Sequence, residues 1–205
     1  MKNQITCWLG LIGVILFIVT SMIGGLQFEG YSFVSQYISE SYANGVPNTA
    51  NLKRGFILSG VLLASFGFMA PFVFNGSKSI TVNFFLFAIF YGLLTIVTSL
   101  YPCDFGCPSG AEVSASQMIH NFSGFLTYVI TPLCLIGLGL SFNKQSNAAK
   151  LKKVSLACGS LALIFVLLLF KNPEGAFLGL FQRIIEGSIL IWVMYTAITI
   201  KKLPS

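Results

Sequence analysis

Six long apolar segments divide this chain of 205 residues, at about 7–26, 55–74, 80–101, 117–142, 154–171 and 177–200. A helix rising 1.5 Å per residue crosses the hydrocarbon core of a bilayer in about 20 apolar residues. Six such spans and their loops use up the chain. The sequence therefore predicts one integral membrane domain over 1–205, an all-α bundle of six transmembrane helices with no separate soluble part. Continuous apolar runs, rather than dyad alternation, select helices over a closed barrel. The chain is 55% hydrophobic and 9% charged, against about 25% charged in soluble domains.

The spans sort the charges. Eight of the twelve Lys and Arg, namely Lys2, Lys78, Lys144, Lys150, Lys152, Lys153, Lys201 and Lys202, fall on one side. All six acids (Glu29, Glu40, Asp104, Glu112, Glu174 and Glu186) fall on or near the other. Short loops rich in Lys and Arg stay in the cytoplasm. Both termini are then cytoplasmic, and loops 27–54, 102–116 and 172–176 are extracytoplasmic, in the cell (inner/cytoplasmic) membrane. The net charge of +6 sits beside spans, which suits anionic lipid headgroups and not nucleic acid. The start of the chain resembles a signal peptide, but the run 7–26 is long for one and lacks a small-x-small cleavage site, so an uncleaved first span is expected. Gly60/Ala64 and Gly175/Gly179 are small-residue pairs that suit close helix contact. Nothing in the sequence sets an oligomeric state.

The residues able to carry chemistry lie on the acidic side. Gln36/Glu40 and Ser35/Ser39 have helical spacing, which predicts a short helix at the membrane interface. Its alternative is a solvated loop anchored by Tyr31 and Tyr37. Next comes the rigid turn Pro102-Cys103-Asp104-Phe105-Gly106-Cys107-Pro108. Thiols outside the cytoplasm oxidise, so a Cys103–Cys107 disulfide is favoured. Zinc held by Cys103, Cys107 and His120 is the sharper alternative. Cys7, Cys134 and Cys158 read as apolar packing residues.

In the fourth span Gln117, His120, Gly124, Thr127 and Thr131 are spaced 3, 4, 3 and 4 residues apart, a small and polar stripe along one helix face. His120 is the only histidine. At the head of such a stripe it suits a general base, a metal ligand or a proton relay, whereas an isolated interfacial histidine would only cap the helix. A haem held by two histidines is ruled out within one chain. In the sixth span Arg183 and Glu186 stand one turn apart, ~8–15 Å into the segment by helix rise. That spacing allows an ion pair, read either as a structural clamp or as part of a site. Lys53 and Arg54 depart from the charge sorting, and suit either an anionic group or Glu29 and Glu40.

Gln36-x-Ile38-Ser39-Glu40, Pro102-Cys103-Asp104-x-x-Cys107-Pro108 and Ser116-Gln117-x-x-His120-x-x-x-Gly124 resemble the pattern of the domain-of-unknown-function 998 family. These are multi-pass prokaryotic membrane proteins. The resemblance covers nearly the whole chain and implies an integral membrane protein, but it transfers no activity.

Three functions compete. The first is a membrane-embedded hydrolase acting on lipid-like or anionic substrates near the outer leaflet. There His120 would be general base or metal ligand, oriented by Glu40, Asp104 or Glu186. Arg183, with Ser39, Gln117 and Arg54, would bind substrate. The second is a small-solute or proton-coupled transporter, with charges on the fourth and sixth spans lining its path. Polar groups crowd the outer half and thin out in the inner half, which favours a blind pocket. The third is a structural or partner-binding membrane protein.

Overall fold

A computed structural model describes residues 1–74, 77–108, 110, 112–142 and 146–203, without the side chains of 146–148. Lys144, counted above among the cytoplasmic lysines, lies outside the described residues. Six helices are each long and apolar enough to cross a bilayer: α1 Lys2–Gln27, α2 Ala50–Phe72, α3 Lys78–Leu100, α4 Ala115–Ser141, α5 Ser146–Lys171 (apolar over Ala149–Lys171) and α6 Leu178–Lys201. The elements run past the apolar segments because helix formation does not stop where hydrophobicity does. α2 starts five residues before its apolar run and carries Lys53 and Arg54 on its first turns. α4 begins where the Ser114 hydroxyl accepts the Gln117 N–H at 3.1 Å, an N-cap that satisfies one of the free amides of the first turn.

Neighbours in sequence are neighbours in space. α1 packs on α2, α2 on α3, α3 on α4, α4 on α5, α5 on α6, and α6 returns to α1, so the helices form a closed ring. An even number of crossings brings the two ends of the chain together. The Asn3 amide donates to the Leu203 carbonyl at 3.0 Å, and the Lys201 ammonium lies 5.4 Å from the Trp8 ring centroid.

Large aromatic side chains fill the ring on the side of the chain termini. Phe84 and Phe87 from α3 meet Trp192 of α6 with ring centroids 5.8 and 5.1 Å apart, and Phe66 of α2 closes the cluster. Trp192 is wholly buried, and its indole N–H donates to Ser155 Oγ at 2.8 Å, which removes the penalty of an unpaired donor. Above this plug a π-helical segment, Ala88–Leu93, interrupts α3 and carries the fully buried Tyr91 into the ring. Such segments are rare and occur preferentially at functional sites.

The interface helix expected around Ser35–Glu40 is instead a short 3₁₀ turn, Ile38–Tyr42, and all five of its residues are buried. The turn packs against α1, α2 and α6 inside one end of the ring. Irregular backbone at that depth is tolerated only where protein satisfies its polar groups. The Ile38 N–H donates to Gln182 Oε1 at 2.6 Å, the Leu180 N–H to the Val34 carbonyl at 2.8 Å, and Arg183 to the Gln36 carbonyl at 3.0 Å. Gly179 is required for this approach, since a Cβ there would collide with the Gln36 carbonyl oxygen.

Candidate functional site

Between the aromatic plug and the tucked loop lies a cavity of about 360 Å³. That is within the ~300–1,000 Å³ typical of small-molecule sites. All six helices contribute to its wall. Ser39, Cys107, Pro108 and Pro173 stand at its mouth, and Phe17, Phe56 and Glu186 line it more deeply. On one flank the stacked rings of Phe125 on α4 and Phe170 on α5, 5.6 Å apart, line the cavity while remaining 49% and 43% exposed.

Glu186 sits about two turns into α6, ~12 Å by helix rise. It is buried, and each of its oxygens has one tyrosine partner. The Tyr91 hydroxyl donates to Oε2 at 2.8 Å and the Tyr128 hydroxyl to Oε1 at 2.9 Å. The Gln182 amide donates to the Tyr128 hydroxyl at 2.7 Å. A continuous chain of hydrogen bonds thus joins the tucked loop, through Gln182 and Tyr128, to Glu186 and the π-helical segment.

His120 lines the cavity from α4. Its Nδ1 lies 3.1 Å from the Thr98 carbonyl and 3.0 Å from the Tyr101 carbonyl. Two carbonyl acceptors require the proton on Nδ1, so the neutral ring keeps a lone pair on Nε2. Among the described residues no protein group hydrogen-bonds Nε2, and the imidazole lines the cavity. Gly124, one turn further on the same stripe, also lines the cavity, and a Cβ there would meet nothing within 4 Å. The Tyr42 phenol closes the wall beside His120, and burial raises its pKa far above the ordinary value, so it stays protonated.

The structure thus gathers His120, Glu186, Ser39 and Cys107 around one cavity and directs the other candidates elsewhere. Arg183 and Glu186 do not form the expected pair. The guanidinium donates to the Gln36 and Gly179 carbonyls, both at 3.0 Å, and to the Tyr31 hydroxyl at 2.7 Å, with the Phe33 ring centroid at 4.9 Å. It holds the loop and does not line the cavity. Glu40 accepts the Tyr37 N–H at 2.8 Å and the Gln36 amide at 2.9 Å, inside its own turn. Asp104 accepts from the Ser114 hydroxyl at 2.7 Å and the Ser114 N–H at 2.9 Å, which lowers its pKa below the ordinary carboxylate value. Gln117 is wholly buried as a clasp, accepting from the Asp104 N–H at 2.6 Å and donating to the Pro108 carbonyl at 3.2 Å. Arg54 is exposed and reaches Asn51 at 3.3 Å, not Glu29 or Glu40.

Cys103 and Cys107 are joined in a disulfide, and Ser39 Oγ lies 3.4 Å from Cys107 Sγ. Both thiols are thereby engaged, so the zinc alternative loses two of its three ligands. Among the described residues no group of three His, Cys, Asp or Glu side chains is placed to hold a metal. Tyr128 and Tyr42 escaped the sequence reading. The only signal for Tyr128 was its place beside Thr127 on the stripe of α4.

Six apolar helices closed into a ring define a multi-pass membrane protein whose medium is the lipid bilayer. Over residues 11–199 the chain matches the family described as protein of unknown function (DUF998), and it belongs to that family. No curated protein and no solved structure matches it.

Proposed function

We propose that this protein is an enzyme of the cell's cytoplasmic membrane whose pocket opens on the extracytoplasmic side and hydrolyses a lipid-like molecule. The observation that carries this reading is the His120 imidazole, tied at Nδ1 to two carbonyls and, among the described residues, bare at Nε2 in the wall of a mostly apolar cavity. A ring held in that tautomer offers the Nε2 lone pair that a general base needs, which supports this reading. Nε2 takes a proton from water as the water oxygen bonds to an acyl or phosphoryl centre. The same proton then passes to the departing oxygen, so one ester bond and one water O–H bond are exchanged for two product groups. The positive-inside arrangement of lysines and the disulfide at the mouth both support an extracytoplasmic opening. The aromatic plug of Phe66, Phe84, Phe87 and Trp192 supports a blind pocket over a transport path.

The test uses purified protein in vesicles made from the host cell's own lipids, with released headgroups and fatty acids read by mass spectrometry. Wild type releases one lipid-derived product, and His120→Gln loses at least about 100-fold of that rate, the size of a general-base contribution. Equal release by the two proteins, or none from wild type, refutes hydrolysis.

A further inference from the structure

Glu186 is a buried carboxylate inside a membrane protein, and among the described residues no cation pairs with it. Such acids ordinarily pair with a base, because an unpaired charge in a medium of low dielectric is costly. Arg183 is one turn away, yet its guanidinium is spent on the Gln36 and Gly179 carbonyls and on the Tyr31 and Phe33 rings. Among the described residues no Lys or Arg lines the cavity. The two tyrosine hydroxyls occupy one lone pair on each Glu186 oxygen, and a carboxylate offers about four.

The walls add a second observation. Phe17, Tyr42, Phe56 and Tyr128 present aromatic rings to the cavity that Glu186 lines. Aromatic faces attract an ammonium, more strongly once water is excluded. An anionic group there would meet Glu186 and those same ring faces with no compensating cation. The exposed flank at Phe125 and Phe170 is apolar and suits a hydrocarbon tail that extends into the bilayer.

We propose that the cavity binds an amphiphile with a positively charged amine or quaternary ammonium head, held by Glu186 and the surrounding rings, with its tail leaving past the stacked Phe125 and Phe170 rings. This rests on the pocket reading above and names its ligand class. It replaces the anionic substrate expected from sequence, because the cation that would have held such a group is committed to the loop.

The probe is tritiated dodecyltrimethylammonium, bound to the full-length protein in lipid nanodiscs and displaced by unlabelled competitors. It has no hydrolysable bond, so binding is read independently of any reaction, and failure of the hydrolysis test leaves this one intact. The expected result is one saturable site per chain, displaced by dodecylamine and not by dodecanol or dodecyl sulfate at equal concentration. Glu186→Gln weakens binding at least tenfold. Gly124→Phe does the same by filling the cavity, from a position where a side chain meets open space. If Glu186→Gln fails to fold, Gly124→Phe and the order of competitors decide. Equal displacement by dodecanol or dodecyl sulfate, wild-type binding by the folded variants, or the lack of a saturable component overturns the proposal.

Discussion

The Tyr128 hydroxyl on α4 donates to Glu186 on α6 across 2.9 Å, and it does so while accepting the Gln182 amide at 2.7 Å. Tyr128→Phe therefore strips a donor from the acid and an acceptor from the amide in one step. Tyr91→Phe removes only a donor to Glu186. Interhelical hydrogen bonds in membranes contribute about 0.5–2 kcal/mol, and buried groups left unpaired add to the loss. Tyr128→Phe is expected to lower the thermal midpoint in detergent more than Tyr91→Phe does. Equal midpoints would show that Gln182 and the loop draw nothing from Tyr128.

Arg183→Lys is not a conservative change here. The guanidinium reaches two carbonyls and a phenol while facing two aromatic rings, and a single ammonium cannot reproduce that fork. Loss of the charge-assisted bonds destabilises the tucked loop by about 2 kcal/mol. Limited proteolysis should then cut Arg183→Lys within residues 28–37 under conditions that leave the wild type whole. Unchanged cleavage would mean that the loop is held without Arg183.

The six helices were legible in the sequence because each span is a long apolar run whose one physical solution in lipid is a helix, whereas their closure into a ring was not. The polar stripe of α4 was legible for the same kind of reason, since Gln117, His120, Thr127 and Thr131 repeat at helical period and all four are buried. The partners of Arg183 were not. A spacing of three residues puts two side chains near one face of a helix, but it does not say that one turns toward the loop and the other toward the centre. The partners of Glu40 and Asp104 were not legible either, because an acid in a polar loop looks free, whereas here Glu40 accepts the Tyr37 N–H and Asp104 the Ser114 N–H. Tyr128 stands in an apolar run where a tyrosine reads as packing, and only three-dimensional pairing reveals its phenol and that of Tyr91 converging on one carboxylate. The π-helical segment has no sequence signature that we can name.

The Cys103–Cys107 disulfide closes a short loop, and loop-closure entropy for so few residues is roughly 2 kcal/mol. Cys107 also contacts Ser39 and lines the cavity mouth. Cys103→Ser/Cys107→Ser should lower the thermal midpoint. It should also raise the rate at which protease cuts residues 103–108 by at least tenfold. If a reducing agent has no effect on the wild type's cleavage rate, the bridge is not what holds this turn.

The orientation in the membrane is tested by labelling. Ser35 is exposed on the tucked loop, and Lys153 is exposed near the start of α5. A membrane-impermeant maleimide applied to intact cells is expected to label Ser35→Cys and to reach Lys153→Cys only after permeabilisation. The native free thiols interfere little, because Cys7 and Cys134 are buried and Cys158 is half-buried within a span. The reverse pattern would place the cavity mouth in the cytoplasm.

Asp104 gives the site region a pH dependence whose sign follows from its partners. Hydrogen bonds from Ser114 favour the ionised carboxylate and lower its pKa in the folded protein. A group depressed in this way stabilises the fold at pH values above its unfolded pKa, about 3.9 for Asp. That contribution is lost as pH falls through the lower, folded value. Carboxyl carbon NMR of Asp104 should titrate below the ordinary aspartate midpoint, and Ser114→Ala should move the midpoint back up, since it removes the donor with the largest effect. The first turn of α4 and its cap should loosen over the same acidic interval, seen as faster amide exchange at Gln117, and Asp104→Asn should abolish that acid dependence. A titration at the ordinary aspartate midpoint would break the link between Asp104 and the helix that carries His120.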